Sequence, residues 1–368
     1  MAKRVAMLRS KSVGGVEPRL DKEARALAGA GYEVHAILWD RDLAYPAEEE
    51  RNGYAVHRVR VRAPYGRKSL IWKLPQWWRR AYRLLVDLTP NAIHAIDLDT
   101  LPPVTMARRH LGAKRVFDVW DFYGDMITQP LPEWLRRWIH RRERVGITEA
   151  DLVIVPDLVR SARLSGVPIK RLIEVMNVPE DQDVVGERQE RFTLFYGGNI
   201  ARDRGLPQLL RACEATGAVL VVAGQGPDES ELLPLIESSP NATFLGSLPY
   251  GQVLKWTASA DAIPALYDPA IPNNRLASPG KIFEAMMLSK PVLVTEGIAA
   301  GDTVREAGCG LSVPYGDTAA LTAAIERLML SPDLCRDLGA KGRVAFEERY
   351  NWAIMERRLL EAYESLGF

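Results

Sequence analysis

The chain is poor in cysteine and histidine, with three and five in 368 residues. Cys213, Cys309 and Cys335 are odd in number and widely separated. That excludes a disulfide framework and offers no metal or redox spacing, so a reducing compartment is expected. Long hydrophobic runs are also missing. No stretch of eighteen or more uncharged apolar residues occurs, and Val5–Leu8 behind Lys3 and Arg4 is too short for a signal peptide. The expectation is a cytoplasmic protein that meets any membrane from its inner face as a peripheral visitor. Short repeats and low-complexity tracts are lacking as well. Net charge is almost absent, at +1, yet it conceals an asymmetry. Residues 1–180 carry 31 Lys+Arg against 22 Asp+Glu, and residues 181–368 carry 17 against 25. The basic half is the one suited to an anionic surface.

What is present is the composition of a soluble globular protein, 47% hydrophobic and 26% charged, with length enough for two domains. The first forty residues read as a βαβ unit. Val5–Leu8 is a strand, Ser12–Gly15 a turn, Leu20–Ala30 a helix stopping at Gly31, and Val34–Trp39 the next strand. Strands at Ala55–Val61, Ala92–Ile96, Arg115–Val119, Leu152–Pro156 and Arg171–Met176 continue it, with a helix over Pro102–Leu111. After the acidic linker Glu180–Glu190 a second series starts at Phe192–Tyr196 and alternates to a long terminal helix broken near Tyr350-Asn351-Trp352. The fold class expected is α/β, two doubly wound Rossmann-like domains (1–180 and 190–350) facing a cleft.

Three segments carry candidate chemistry. Gly197-Gly198 with Arg202 and Arg204 forms a glycine turn between strand and helix, where backbone N–H groups and two cations suit an anion. Gly224-Gln225-Gly226 repeats such a turn at the next strand end. Each is equally compatible with an ordinary tight turn. The third, Ser278-Pro279-Gly280-Lys281-Ile282-Phe283-Glu284-Ala285-Met286, starts a helix, with Ser278 as its expected cap. Lys281 and the N–H groups suit a diphosphate, and Glu284 suits ribose hydroxyls on nearly the same face. The plain alternative is a surface pair at i, i+3.

At these residues the chain resembles the nucleotide-sugar glycosyltransferases of the two-domain GT-B type, most closely the retaining family 4 (group 1). The resemblance covers nearly the whole chain, including Glu17–Leu27, Ile93–Leu101, Phe244-Leu245-Gly246 and Lys290-Pro291-Val292. It implies that residues 351–368 pack back on the first domain. It also implies a donor site of Gly197, Gly198, Arg202, Gly224, Gly226, Leu248, Pro249, Tyr250, Ser278, Pro279, Gly280 and Glu284. Lys281 and Arg204 would stabilise the departing diphosphate, with no metal and no cofactor beyond the donor substrate. On the acceptor side it implies Gly14, Gly15, Arg19, Asp97 and Trp120. Two positions depart from the family pattern. Leu276 stands eight residues before Glu284 where a glutamate is common, and Trp120-Asp121 stands in place of a histidine-containing segment.

The expected reaction is sugar transfer from a nucleotide-diphosphate sugar to a glycan or lipid-linked acceptor in polysaccharide or glycolipid assembly, with retention. Were the enzyme to invert, Asp121 is the candidate general base. A non-catalytic nucleotide-sugar or glycan-binding protein and a nucleotide-sugar epimerase remain alternatives on the same scaffold. Asp97-Leu98-Asp99 offers too few oxygens for a metal, and the first loop lacks the dinucleotide fingerprint of a dehydrogenase. Finally, residues 65–85 (with Trp72, Trp77 and Trp78) and 131–144 (with Trp134, Trp138 and five arginines) interleave cations and aromatics. This suits an anionic membrane surface, against the plainer reading of packed helices with solvated arginines; nucleic acid is not expected as a partner.

Overall fold

The computed structural model describes residues 3–11, 15–63, 67–108, 110–123, 132–158 and 164–368, with the backbone alone for 67–71. Gly14, Arg67 and Lys68 as side chains therefore lie outside the described residues. The chain divides into two compact units, Met1–Met176 with Met355–Phe368, and Asn177–Ile354.

The first unit is built on an eight-stranded sheet. Its strands are β1 (Arg4–Arg9), β2 (Glu33–Asp40), β3 (Glu48–Arg51), β4 (Tyr54–Arg60), β5 (Ala92–Ile96), β6 (Lys114–Asp118), β7 (Leu152–Val155) and β8 (Leu172–Glu174). The order is β3-β4-β2-β1-β5-β6-β7-β8, parallel except for β3 against β4. Every residue of β5 and β7 is buried, as a parallel sheet covered on both faces requires. The edge strand β3 has no apolar residue to announce it. Its sequence is Glu48-Glu49-Glu50-Arg51, whose charges blunt an exposed edge. Strand order reverses between β1 and β5, so the loops after those strands open a crevice.

Helix Arg67–Leu88 lies on this sheet, and here the aromatic reading is corrected. Trp77 is fully buried, stacked on Trp39 at 5.9 Å between ring centres, and Trp78 Nε1 donates to the Asp99 carbonyl at 2.7 Å. Trp72 faces solvent instead, 76% exposed. Successive turns of one helix carry tryptophan to opposite sides, and burial of indole area favours the side facing the sheet. The helix expected over Pro102–Leu111 is shorter, Leu101–Ala107. From the C-terminal segment, the Tyr363 hydroxyl meets Nδ1 of the fully buried His94 at 2.8 Å, and its ring packs edge-on against Tyr32.

The second unit holds two three-stranded parallel sheets, β11-β10-β9 and β12-β13-β14. The strands are β9 (Thr193–Gly197), β10 (Val219–Ala223), β11 (Ala242–Phe244), β12 (Ile263–Ala265), β13 (Val292–Thr295) and β14 (Gly310–Val313). A parallel bridge from Leu194 to Ala262 joins β9 to β12, so this unit reverses its strand order between those two. Leu194, Tyr196, Leu220, Val222 and Leu293 anchor one core against helices Leu206–Thr216 and Thr318–Leu330. Asn351 makes the break between helices Pro332–Glu348 and Trp352–Glu364. Its Nδ2 donates to the Phe346 and Glu347 carbonyls, and its Oδ1 accepts from Ile354 N at 3.2 Å.

Candidate functional site

Three segments of the second unit meet where its strand order reverses. Gly197-Gly198 leave the end of β9, and Gly224 leaves the end of β10. Gly198 N donates to Ala223 O at 2.9 Å, and Ile200 N to Gln225 O at 3.1 Å, so the two turns run side by side. The approach is close enough that a Cβ on Gly224 would collide with the Gly198 carbonyl oxygen, and one on Gly226 with the Ile200 backbone. Gly198, Gly224, Ser247 and Leu248 line a cavity of ≈ 380 Å³, with Asn199, Ala223, Gln225 and Val253 completing its walls.

Over this turn sits Lys281. It is the second residue of helix Gly280–Met287, and its Nζ is 3.0 Å from where a Gly198 Cβ would be. The residue is half-buried, but its ammonium is enclosed and stands 3.8 Å from the centre of the Tyr196 ring. Burial, and then the positive charge of Arg204, bring its pKa down to about 7, against a smaller opposing pull from Glu284. Arg204 stacks on Tyr267, which follows β12, at 4.2 Å from guanidinium carbon to ring centre. Two cations are thus held on aromatic faces near a strand-order reversal, Lys281 directly over the Gly198 turn, an arrangement whose charge suits an anion.

The expected residues are not all brought together. Arg202 is exposed and pairs with Glu231 and Asp228. Ser278 does not cap its helix. Pro279, extended at φ −75° and ψ 132°, takes that position without any side-chain capping bond, and Gly280 is the first helical residue. Glu284 reaches back along the helix, with Oε1 3.9 Å from where a Gly280 Cβ would lie. Its carboxylate faces Tyr250, the first residue of helix Tyr250–Ser259 after Pro249, and burial and that charge raise the tyrosine pKa. The plain i, i+3 surface pair is thus not what Glu284 makes. Sequence reading passed over Tyr196, Tyr267 and Asn274; none carries a spacing signal.

On the first unit, Gly15 is buried at φ +107°, at the mouth of the β1 loop. Asp97 ends β5 at φ +64° and ψ 168°, a backbone state costing a non-glycine residue about 1–3 kcal/mol. Its Oδ1 accepts from Trp120 N at 3.0 Å and Asp121 N at 3.2 Å, while Oδ2 pairs with Arg9. Burial pushes its pKa up to about 6, with Arg9 opposing and Asp99 adding to the rise. Asp97 therefore holds the turn that presents Trp120 and Asp121. The Arg9 guanidinium covers the Trp120 ring at 4.3 Å.

Arg19 is corrected from acceptor contact to buried support. Its Nη2 donates to both oxygens of Asp118 at 2.9 and 3.1 Å and its Nε to Glu23 at 2.8 Å, all out of solvent. Among the described residues, Glu23, His94 and Asp118 also converge with ligand-type atoms within 4.8 Å. Arg19 already supplies the positive charge there. It holds Asp118 below its ordinary pKa despite burial, whereas burial and the neighbouring Asp118 raise Glu23.

Comparison with known proteins gives this geometry a family. Residues 14–177 match the model of the glycosyl transferase 4-like domain, and residues 177–345 that of the glycosyl transferases group 1. The phosphatidyl-myo-inositol mannosyltransferase of Mycobacterium leprae is 27% identical over 241 residues, 63% of this chain and 57% of that protein. The curated relatives are matched over 47% to 66% of their own lengths. Among solved structures, sucrose-phosphate synthase from Thermosynechococcus elongatus superposes with a TM-score of 0.82 at 18% identity, covering 99% of both chains. Anabaena HepE in complex with UDP-glucose gives 0.72 at 14% identity, covering 98% of this chain and 99% of that one. The chain belongs to the group 1, family 4-like glycosyltransferases of the GT-B type.

Proposed function

We propose that this protein transfers a sugar, with retention, from a nucleoside-diphosphate sugar to a glycan or lipid-linked acceptor in polysaccharide or glycolipid assembly. The carrying observation is the pair of cations Lys281, over the Gly198 turn, and Arg204, over Tyr267 and near enough for its charge to act on Lys281. Rupture of the bond between sugar and diphosphate leaves negative charge on the departing oxygens. Cations already fixed on aromatic faces stabilise that charge without reorganising. The ribose hydroxyls would donate to Glu284 in place of, or beside, Tyr250, and the base would enter the cavity lined by Ser247 and Leu248. With retention, the departing phosphate takes the acceptor proton on the same face; with inversion, Asp121 would be the base.

A membrane-bound acceptor is supported by the helix Glu133–Glu149. Trp134 is 66% and Trp138 49% exposed, and Arg137, Arg141, Arg142 and Arg144 are exposed with them. A groove of ≈ 560 Å³ on this helix is lined by Arg137, His140, Arg141 and Arg144. Among the described residues no helix is long and apolar enough to cross a membrane. Contact with anionic lipid would be made from the surface, as exposed tryptophan and arginine favour.

The deciding measurement is thermal stabilisation by UDP, GDP, ADP and their sugar conjugates. A ligand at a hundred times its Kd adds about 2.7 kcal/mol to stability. One base should stabilise the wild type, and Lys281→Ala and Glu284→Ala should weaken the effect. No stabilisation by any of them would remove the donor assignment. Product analysis then separates transfer from isomerisation of the donor.

A further inference from the structure

Asn274 sits in the short helix Pro272–Arg275, 3% exposed, with its amide in use on both sides. Its Oδ1 accepts from Arg204 Nη1 at 3.0 Å. Its Nδ2 donates to Asp203 Oδ2 at 2.8 Å and to the Asp268 carbonyl at 3.1 Å. Charge fixes the orientation of this amide: the oxygen faces a guanidinium and the nitrogen faces a carboxylate. Reversing it would set N–H against N–H and oxygen against oxygen.

The setting explains why such a group is needed. Arg204 is bracketed by its own chain neighbour, since Nη1 is also 3.2 Å from Asp203 Oδ2. Left alone with that carboxylate, a guanidinium turns to meet both oxygens edge to edge, the strongest arrangement open to it. Its charge would then be spent within the loop. The pair observed is one nitrogen on one oxygen instead, and Asn274 keeps it so in two ways. Its Nδ2 occupies Asp203 Oδ2, and its Oδ1 holds Nη1 so that the guanidinium lies over Tyr267. The Asp268 bond ties the amide in turn to the segment following β12, and Asp268 N donates to Asp203 O at 3.0 Å.

We propose that Asn274 is a positioning residue for the donor diphosphate: it limits Arg204 to a one-nitrogen pair with Asp203 and keeps the guanidinium over Tyr267, available to the same anion as Lys281. This rests on the donor-site reading above and adds to it a residue that touches neither substrate nor reacting atoms. Asn274 acts only through Arg204. It lies two residues before Leu276, so the segment that lacks the family's first glutamate contributes to the site through a neutral amide instead.

The test is a double-mutant cycle read by calorimetric binding of UDP, with GDP and ADP beside it. The proteins are wild type, Asn274→Ala, Arg204→Ala, the double variant, and Arg275→Ala as a control. Arg275 is exposed and ties the same helix to the Pro269 carbonyl at 2.6 Å. Loss of a hydrogen bond to a charged group corresponds to about tenfold or more in affinity, so Asn274→Ala should weaken binding by about that factor. The double variant should be no weaker than Arg204→Ala alone, and Arg275→Ala should bind as wild type does. If Asn274→Ala does not fold, Asn274→Ser takes its place in the cycle. Additive losses, an unchanged Asn274 variant, or an equal loss in Arg275→Ala would each overturn the proposal and leave the donor site standing. A wild type that binds no nucleoside diphosphate would overturn the donor site itself.

Discussion

The Nζ of Lys281 stands 3.8 Å from the centre of the Tyr196 ring, and the Tyr196 hydroxyl is fixed by a 2.6 Å bond to the Asn199 carbonyl. A strand residue thus holds the cation that a helix delivers, and the same ring pins the glycine turn beneath it. Tyr196→Leu should lose about 1–2 kcal/mol of cation–π support for a desolvated ammonium, seen as a roughly 5- to 30-fold rise in nucleoside-diphosphate Kd. Tyr196→Phe keeps the ring face and should cost much less. Equal losses in the two variants would assign the effect to the hydroxyl and not to the ring.

Binding should depend on pH in a definite direction. In the empty site Lys281 titrates at about 7, and a bound diphosphate favours its protonated form. Protein and ligand therefore take up a proton together above that pH. Affinity should fall as pH rises from about 7, by up to about tenfold per unit. Lys281→Arg, charged throughout, should flatten the profile. Titrations of UDP between pH 6 and 9 check this, after correction for the ligand's own ionisation; a flat wild-type profile would refute it.

The same lysine should leave a mark on stability. Its pKa is lowered from the ordinary 10.5 to about 7 on folding. Its contribution to stability is thus present above 10.5 and lost as pH falls through 7, because between these values the unfolded chain binds the proton more tightly. Lys281→Met should raise the unfolding midpoint of the empty protein at pH 7 and reduce its rise toward pH 9. Denaturant melts of both proteins across that range measure it.

Two glycines of the second unit should respond oppositely to alanine. Gly224→Ala forces a Cβ into the Gly198 carbonyl at φ +144°, and the expected result is a strongly lowered midpoint with no nucleotide-induced stabilisation. Gly251, inside helix Tyr250–Ser259, meets nothing within 4 Å of an added Cβ. Gly251→Ala should stabilise by roughly 0.5–1 kcal/mol. Thermal melts of both variants distinguish close approach from ordinary helix propensity.

The exposed basic helix Glu133–Glu149 predicts binding to vesicles of phosphatidylglycerol that weakens with salt. Replacing Arg137, Arg141 and Arg144 together by glutamate should abolish cosedimentation while leaving nucleotide binding intact. Wild-type protein that stays in the supernatant at low salt would remove the membrane-surface proposal.

Much of the architecture was readable in advance because parallel strands buried on both faces are short apolar runs, and Val219–Ala223 or Val292–Thr295 have no other reading at that length. The glycine turns and the start of helix Gly280–Met287 were equally visible, since close backbone approach leaves glycine in the sequence. Strand β3 was not. Four charged residues carry no apolar signal, and their pairing with Tyr54–His57 is a fact of register alone. Trp72, Trp77 and Trp78 look alike in a list of aromatics, and only the sheet beneath the helix separates the exposed ring from the buried one.

By itself, then, the sequence determined the α/β alternation, the family, and the segments where an anion could meet backbone N–H groups and cations, because each depends on neighbours within a few residues. The tertiary structure decided which of those groups converge. It brought Lys281 to Tyr196 across 85 positions of chain and Asn274 to Arg204 across 70. It turned Arg202 toward Glu231, two residues from an arginine held over Tyr267. Coulomb attraction, ring stacking and desolvation act through space at a few ångströms, and separation along the chain does not encode distances of that kind.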